Sequence, residues 1–198
     1  LIQRNPYLDF LQRHKDKHII KVVSGFRRCG KSVLFQLYRD YLLSQGISNE
    51  NIIAINFEDL AFENLQEYHA LYNYVTAHMQ PNEMNYIFLD EIQHVSDFEK
   101  AVDSLFIKDN ADVYITGSNA YFMSGELATL LSGRYVELKM LPLSFKEYYE
   151  NCGFSPNHSF QEIYERYIFD SSFPYVLQLD GGQQDIAEYL KNSLFLQE

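Results

Sequence analysis

The stretch that most constrains this chain is "GFRRCGKS", Gly25 to Ser32, because it follows a β-branched run, "HIIKVVS" (18–24), and opens a helical pattern, "SVLFQLYRDYLLSQG" (32–46). A loop of the form G-x-x-x-x-G-K-[ST] between a strand and a helix turns backbone N–H groups onto an anion that also meets the positive end of the helix. Gly25 and Gly30 provide the backbone freedom. Lys31 would reach the outer phosphates of a nucleotide, and Ser32 would offer a hydroxyl to Mg2+. The alternative is a Gly-rich strand-helix turn that binds nothing, which leaves the lysine unexplained.

The rest of the chain repeats the same alternation. "NIIAINFED" (51–59), "NYIFLDEIQ" (85–93), "DVYITGSN" (112–119) and "RYVELKML" (134–141) read as strands. Helices are expected at 32–46 with Gly46 as the stop, at 63–79 before Pro81, at 96–108 with Ser96 and Glu99 as a capping pair, and at 120–133. Five strands alternating with helices predict an α/β fold with a parallel sheet and right-handed crossovers. After Pro142 the segments "SFKEYYENCG", "FQEIYERYIFD" and "QDIAEYLKNSLFL" all read as helices. The expected organisation is therefore a core over 1–142 and a helical appendage over 143–198.

Composition excludes several classes. With 46% apolar and 16% aromatic residues among 198, a packed core is expected and disorder is not. A net charge of −11 argues against a surface that wraps nucleic acid without regard to sequence. No apolar run approaches the roughly 18 residues of a membrane span. Two distant cysteines and no cationic-then-apolar leader predict a reducing, cytoplasmic setting. The start at Leu1 and the end inside an amphipathic pattern predict a segment of a longer protein. The six histidines and two cysteines show no zinc-ligand spacing.

Nucleotide hydrolysis needs an acid for the metal shell and a second group for the attacking water. Asp90 and Glu91 end a strand and point to opposite faces, so Asp90 can serve Mg2+ and Glu91 the water. At the end of the next strand, Ser118 or Asn119 can sense the outer phosphate or form an ordinary turn. Arg134 can neutralise charge in phosphoryl transfer or pair with an acid of the chain. Arg27 and Arg28 can grip phosphate bidentately or remain solvated. Cys29 reads as a small filler or as a thiol perturbed by the helix end. Glu58 and Asp59 are loop acids that can also shape the Mg2+ or water site.

Together "GFRRCGKS", "YIFLDEIQ", "ITGSN" and "LSGRYVELKMLPLSFKEY" resemble the prokaryotic AAA-type P-loop ATPases whose cradle reads G-x-R-R-x-G-K-[ST]. The resemblance covers roughly residues 1–180. It implies a three-layer α/β/α P-loop NTPase core with strand order 5-1-4-3-2, followed by a small helical lid. It implies an ATPase that uses ATP and Mg2+, with catalytic residues Lys31, Glu91 and Arg134 and metal residues Ser32 and Asp90. The nucleotide-binding set it implies is Gly25, Arg27, Arg28, Cys29, Gly30, Lys31, Ser32, Val33 and Asn119, with Tyr7 and Leu8 toward the base. Related chains read Gly-Gly-Phe-Pro where this one has Ser171, Ser172, Phe173 and Pro174. Members often continue into a C-terminal domain, through which a protein or nucleic-acid partner would be engaged, and self-assembly is compatible with the family.

Two functions from different classes follow. One is an ATP-driven conformational switch; the other is a nucleotide-dependent binding or signalling module with little turnover. A small-molecule kinase is weaker, because no arginine-rich lid follows the fourth strand.

Overall fold

The computed structural model describes residues 2, 4–118, 122, 131, 133–151, 153, 158–178 and 182–191. The chain divides into two compact units, one of Asn5–Gly25 and Lys31–Met140, the other of Leu1–Arg4, Phe26–Gly30 and Leu141–Glu198.

The larger unit is a five-stranded parallel sheet: β1 Ile20–Gly25, β2 Ile52–Asn56, β3 Asn85–Asp90, β4 Ala111–Gly117 and β5 Tyr135–Met140. The strand order is β2-β3-β4-β1-β5, which is the expected 5-1-4-3-2 read from the other side. The helices are α1 Asn5–Arg13, α2 Lys31–Ser44, α3 Tyr68–His78 and α4 Phe98–Phe106. Alternation along the central strands explains the layers, because successive side chains leave opposite faces. Ile87, Leu89, Val113 and Ile115 join Leu71 and Val75 of α3 and Val102 and Leu105 of α4 in one core. Phe88 and Tyr114 leave the other face and stack 4.8 Å apart. There Phe88 meets Phe35 of α2 edge-on at 5.2 Å.

Several local expectations are corrected. The helix expected over 63–79 is a 3-10 turn, Leu60–Leu65, followed by α3. Asp59 caps that turn by accepting from the Ala61 N–H at 2.9 Å, and Glu67 caps α3 by accepting from the N–H groups of His69 and Ala70. Ser96 and Glu99 do not form a capping pair; Asp97, at φ 52°, precedes α4 without a side-chain cap. Ser96 is engaged instead in a parallel bridge to Glu67, donating its N–H to the Gln66 carbonyl at 3.0 Å. α1 was not expected; its Leu11 is buried and its carbonyl accepts from the Tyr38 hydroxyl of α2 at 3.3 Å. Gly46 does end α2, at φ 85°, with the Ile47 N–H returning to the Leu42 carbonyl. The helix expected over 120–133 lies mostly outside the described residues. Phe122, which is described, presses on Gly117 so closely that a Cβ there would collide with its ring.

The smaller unit contains α5 Phe145–Asn151, α6 Phe160–Asp170 and α7 Gly182–Leu190. Ser159 and Glu162 form a capping box at the start of α6. Leu143, Tyr148 and Ile163 make a small core, which Phe145 and Tyr167 flank. Arg4 holds this unit's segments together. Its buried guanidinium pairs with Glu147 at 2.8 and 3.0 Å and donates to the carbonyls of Cys29 at 3.2 Å, Leu141 at 2.6 Å and Pro142 at 3.1 Å. Burial would raise the Glu147 carboxyl, but bonds from Arg4 and Ser144 hold it below its ordinary range. No described helix is long and apolar enough to cross a membrane.

Candidate active site

All five strands are parallel, so their C-terminal ends share one sheet edge, where ligands bind in open α/β folds. In register, Asn56 of β2 faces Asp90 of β3, and Leu89 faces Ile115 of β4, one step before Asp90 and Thr116. Val23 of β1 is paired with Thr116 on the other side. The polar strand ends are thus brought together by the strand order.

Thr116 organises the two acids. It is fully buried, donates its hydroxyl to Asp90 Oδ1 at 2.5 Å and accepts the Glu91 backbone N–H at 2.8 Å. One hydroxyl therefore uses both of its capacities, as donor and as acceptor. Glu91 sits at φ 54°, ψ 50°, the left-handed region that non-glycine residues enter rarely. That backbone turn ends the strand and lets Glu91 take bonds from Ser118 Oγ at 2.7 Å and Gln93 Nε2 at 2.6 Å.

Lys31 completes the cluster. Its Nζ lies 3.3 Å from Glu91 Oε1 and 3.3 Å from the Gly25 carbonyl, and its side chain is 2% exposed. Burial would push the Glu91 carboxyl up, but the Lys31 charge and the bonds from Gln93 and Ser118 outweigh it and hold the group below its usual value. Asp90 goes the other way. Burial pushes its carboxyl up, hydrogen bonds from Ser32 and Thr116 resist, and the neighbouring Glu91 charge adds to the rise. Two adjacent carboxyls are thereby separated in acidity, a common arrangement where two acids have different roles.

The donor set fits a hard divalent cation. Asp90 is a buried carboxylate served by hydroxyls, and Ser32 at the start of α2 is one of them. Among the described residues no group of three or more His, Cys, Asp or Glu is gathered as a cage. One carboxylate and one hydroxyl, completed by phosphate oxygens and water, is how Mg2+ is commonly bound.

The loop before α2 has the backbone that an anion cradle requires. Gly25, Arg28 and Gly30 stand at φ 146°, 65° and 102°, and the Cys29 N–H returns to the Phe26 carbonyl at 3.3 Å. Alternating handedness of this kind turns successive N–H groups to one side. Cys29 is buried, which fits the filler reading, and Arg27 is exposed. Arg28 lies over the Tyr189 ring of α7 at 5.1 Å, so one face of its guanidinium is engaged by an aromatic ring.

Not every candidate joins the cluster. Arg134 precedes β5 and so lies at the strands' N-terminal edge, opposite Asp90 and Glu91. Its Nη1 is 3.7 Å from Asp103 Oδ1 and its guanidinium lies over Phe106, which is the acid-pairing alternative. Asp59 is occupied as a turn cap and Glu58 is an exposed loop residue, so the structure does not bring them to the Lys31 cluster. Tyr7 and Leu8 are half-buried on α1, and Val33 is half-buried on α2. Asn119 lies outside the described residues. Thr116 was missed by sequence reasoning; the signal was a hydroxyl one strand over from Asp90, readable only once β3 and β4 are known to be neighbours.

The sequence model of an AAA domain family matches residues 17–149. An uncharacterized protein of Haemophilus influenzae is 44% identical over 197 residues, covering 98% of this chain and 48% of that protein. This chain therefore spans about half the length of that relative. Among solved structures, the Walker-type ATPase of Pyrococcus abyssi superposes with a TM-score of 0.59 at 17% identity, over 97% of this chain and 68% of that one. AMPPCP-bound DnaA from Aquifex aeolicus superposes with a TM-score of 0.55 at 11% identity, over 93% and 61%. At these identities the superpositions speak for the fold. The family match speaks for membership: this chain belongs to the AAA domain family, one of the AAA-type P-loop ATPase families.

Proposed function

We propose that this chain binds ATP with Mg2+ and hydrolyses it to ADP and phosphate, and that the cycle drives a conformational switch in which segment 143–198 is the responding lid. The observation that carries the reading is the Lys31–Glu91–Thr116–Asp90 chain of contacts at the C-terminal edge of the sheet. Gly25, Arg27, Arg28, Cys29 and Gly30 would cradle the phosphates, with Lys31, Ser32 and Val33 beginning the helix behind them. Asn119 is proposed as the sensor beside Ser118, and Tyr7 as a contact toward the base.

Ser32 and Asp90 would hold Mg2+, which supplies neutralisation of the phosphate charge when bound. Glu91 orients the attacking water. While Lys31 pairs with it, Glu91 is a weak base, because its pKa is held below the ordinary range. Phosphate oxygens compete with Glu91 for the Lys31 ammonium, so nucleotide binding returns basicity to Glu91. This couples binding to activation of the water.

The same pairing favours one second reading, a nucleotide-dependent binding module with little turnover, in which Lys31 never releases Glu91. A protein or nucleic-acid partner outside this chain, or self-assembly, belongs to either reading. The test is a melting curve with Mg-ATP, Mg-ADP and Mg-GTP, beside a phosphate-release assay. Ligand at about 100 times its dissociation constant stabilises by about 2.7 kcal/mol, a shift of several degrees. Lys31→Ala is expected to abolish that shift. Binding without phosphate release selects the module, and no shift with any nucleotide overturns both.

A further inference from the structure

Helix α2 carries Arg39 two turns beyond Ser32, and the Nε of Arg39 is buried without a hydrogen-bond partner. The chain has 27 acidic against 16 basic residues, yet no described acid forms an ion pair with Arg39. Arg39 lines a cleft of about 310 Å3 between α2 and strands β2 and β3, with Ser32 and Asp90 among its lining residues. Lys31 and Glu91 are not among them.

Beside Ser32 and Asp90, the polar side chains of this cleft are the guanidinium of Arg39 and two amides. Asn56 uses its Oδ1 to accept the Glu58 N–H at 2.9 Å, leaving its amide NH2 as the remaining function. Gln36, one turn before Arg39, adds another amide. A guanidinium and two amides in one cleft complement an acceptor, and an arginine fork matches a carboxylate best. The other walls include Phe35, Phe62 and Phe88. They suit an apolar body of about one ring, the lower size range of ligand pockets. Asp90 at the border limits the ligand to one negative charge, since a second would face a carboxylate.

We propose that this cleft is a binding site for a small monocarboxylate with an aromatic or similarly apolar body, anchored on Arg39. The site borders the phosphate cradle and shares Ser32, Val33 and Asp90 with it, while Lys31 and Glu91 lie outside the cleft; its argument does not use the ATPase reading.

The test uses sodium benzoate and its neutral isostere benzamide as probes, titrated by isothermal calorimetry or ligand-observed NMR into the chain without nucleotide. Benzoate is expected to bind in the millimolar range and benzamide about tenfold more weakly or less. Arg39→Gln should weaken benzoate about tenfold, and Gln36→Glu, at an exposed helix position, should weaken it by like charge. Lys31→Ala should leave it unchanged. The proposal is overturned if benzoate fails to bind at about 10 mM, if benzamide binds equally, or if Arg39→Gln has no effect. It is equally overturned if Lys31→Ala abolishes binding, because the anion then sits in the cradle.

Discussion

Lys31 Nζ lies 3.3 Å from Glu91 Oε1, and both side chains are at least nine-tenths buried. An ammonium suited to phosphates is thus already neutralised by the acid suited to the water. Two demands on one lysine make binding and catalysis compete at one atom. In Glu91→Gln the amide can still accept from Ser118, but Lys31 loses its counter-charge. Turnover is expected to fall about 100-fold or more, while Mg-ATP binding tightens several-fold. Calorimetry beside phosphate release reads both, and unchanged turnover would remove Glu91 from the mechanism.

Thr116 links the two acids through one hydroxyl. Thr116→Val keeps the shape and leaves the buried Glu91 N–H without its acceptor, at a cost of about 1–3 kcal/mol in urea denaturation. Turnover should fall about tenfold as the two acids lose their mutual placement. Thr116→Ser keeps the hydroxyl and should recover most of both. If valine and serine behave alike, the hydroxyl is not what holds the acids.

Asp90 and Glu91 predict opposite pH effects on stability. Glu91, with its folded pKa depressed, contributes stability present above its unfolded pKa and lost as pH falls through the folded value. Asp90 has its folded pKa raised above 3.8, so the folded state holds the extra proton and stability falls as pH rises through that window. Asp90→Asn removes the second effect and keeps an acceptor for Thr116. Its melting point should exceed the parent's at pH 7 and converge with it below about pH 3.8. Mg2+-dependent turnover should be lost. A constant gap across pH would contradict the assignment.

Ser171 stands at φ 83°, ψ 152°, a region that only glycine enters freely. A glycine would hold this backbone without the steric cost that the Ser171 Cβ imposes. Ser171→Gly should stabilise the smaller unit by about 1 kcal/mol, after the strain relieved is set against the entropy of the freer unfolded chain. Hydrogen exchange in α6, or the melting point, reads it. A destabilised variant would mean that the hydroxyl, which accepts the Phe173 N–H at 3.4 Å, matters more than the backbone.

The alternation of β-branched runs with helical patterns was enough for the sheet, its direction and the position of the cradle, because these depend on local periodicity. Lys31, Ser32, Asp90 and Glu91 were legible for the same reason: each follows or ends a recognisable element. Arg134 stayed open between charge neutralisation and pairing with an acid, since spacing does not show which sheet edge a residue occupies; the fold puts it before β5, near Asp103. Ser96 and α1 failed for a different cause. Ser96 was taken by a bridge to Glu67, and α1 gained its buried side by docking on α2, both of them non-local contacts that outweigh local preference.

By itself, then, the sequence determined the class of fold, the loop and the residues on which a phosphate chemistry would depend. Only the tertiary structure decided how those residues are charged and joined. A pKa depends on burial and on which charge lies a few ångströms away, and neither is written in spacing along the chain. The Lys31–Glu91 pair spans 60 residues and the Thr116 hydroxyl reaches across a strand boundary, so both exist only because the sheet places β4 between β3 and β1.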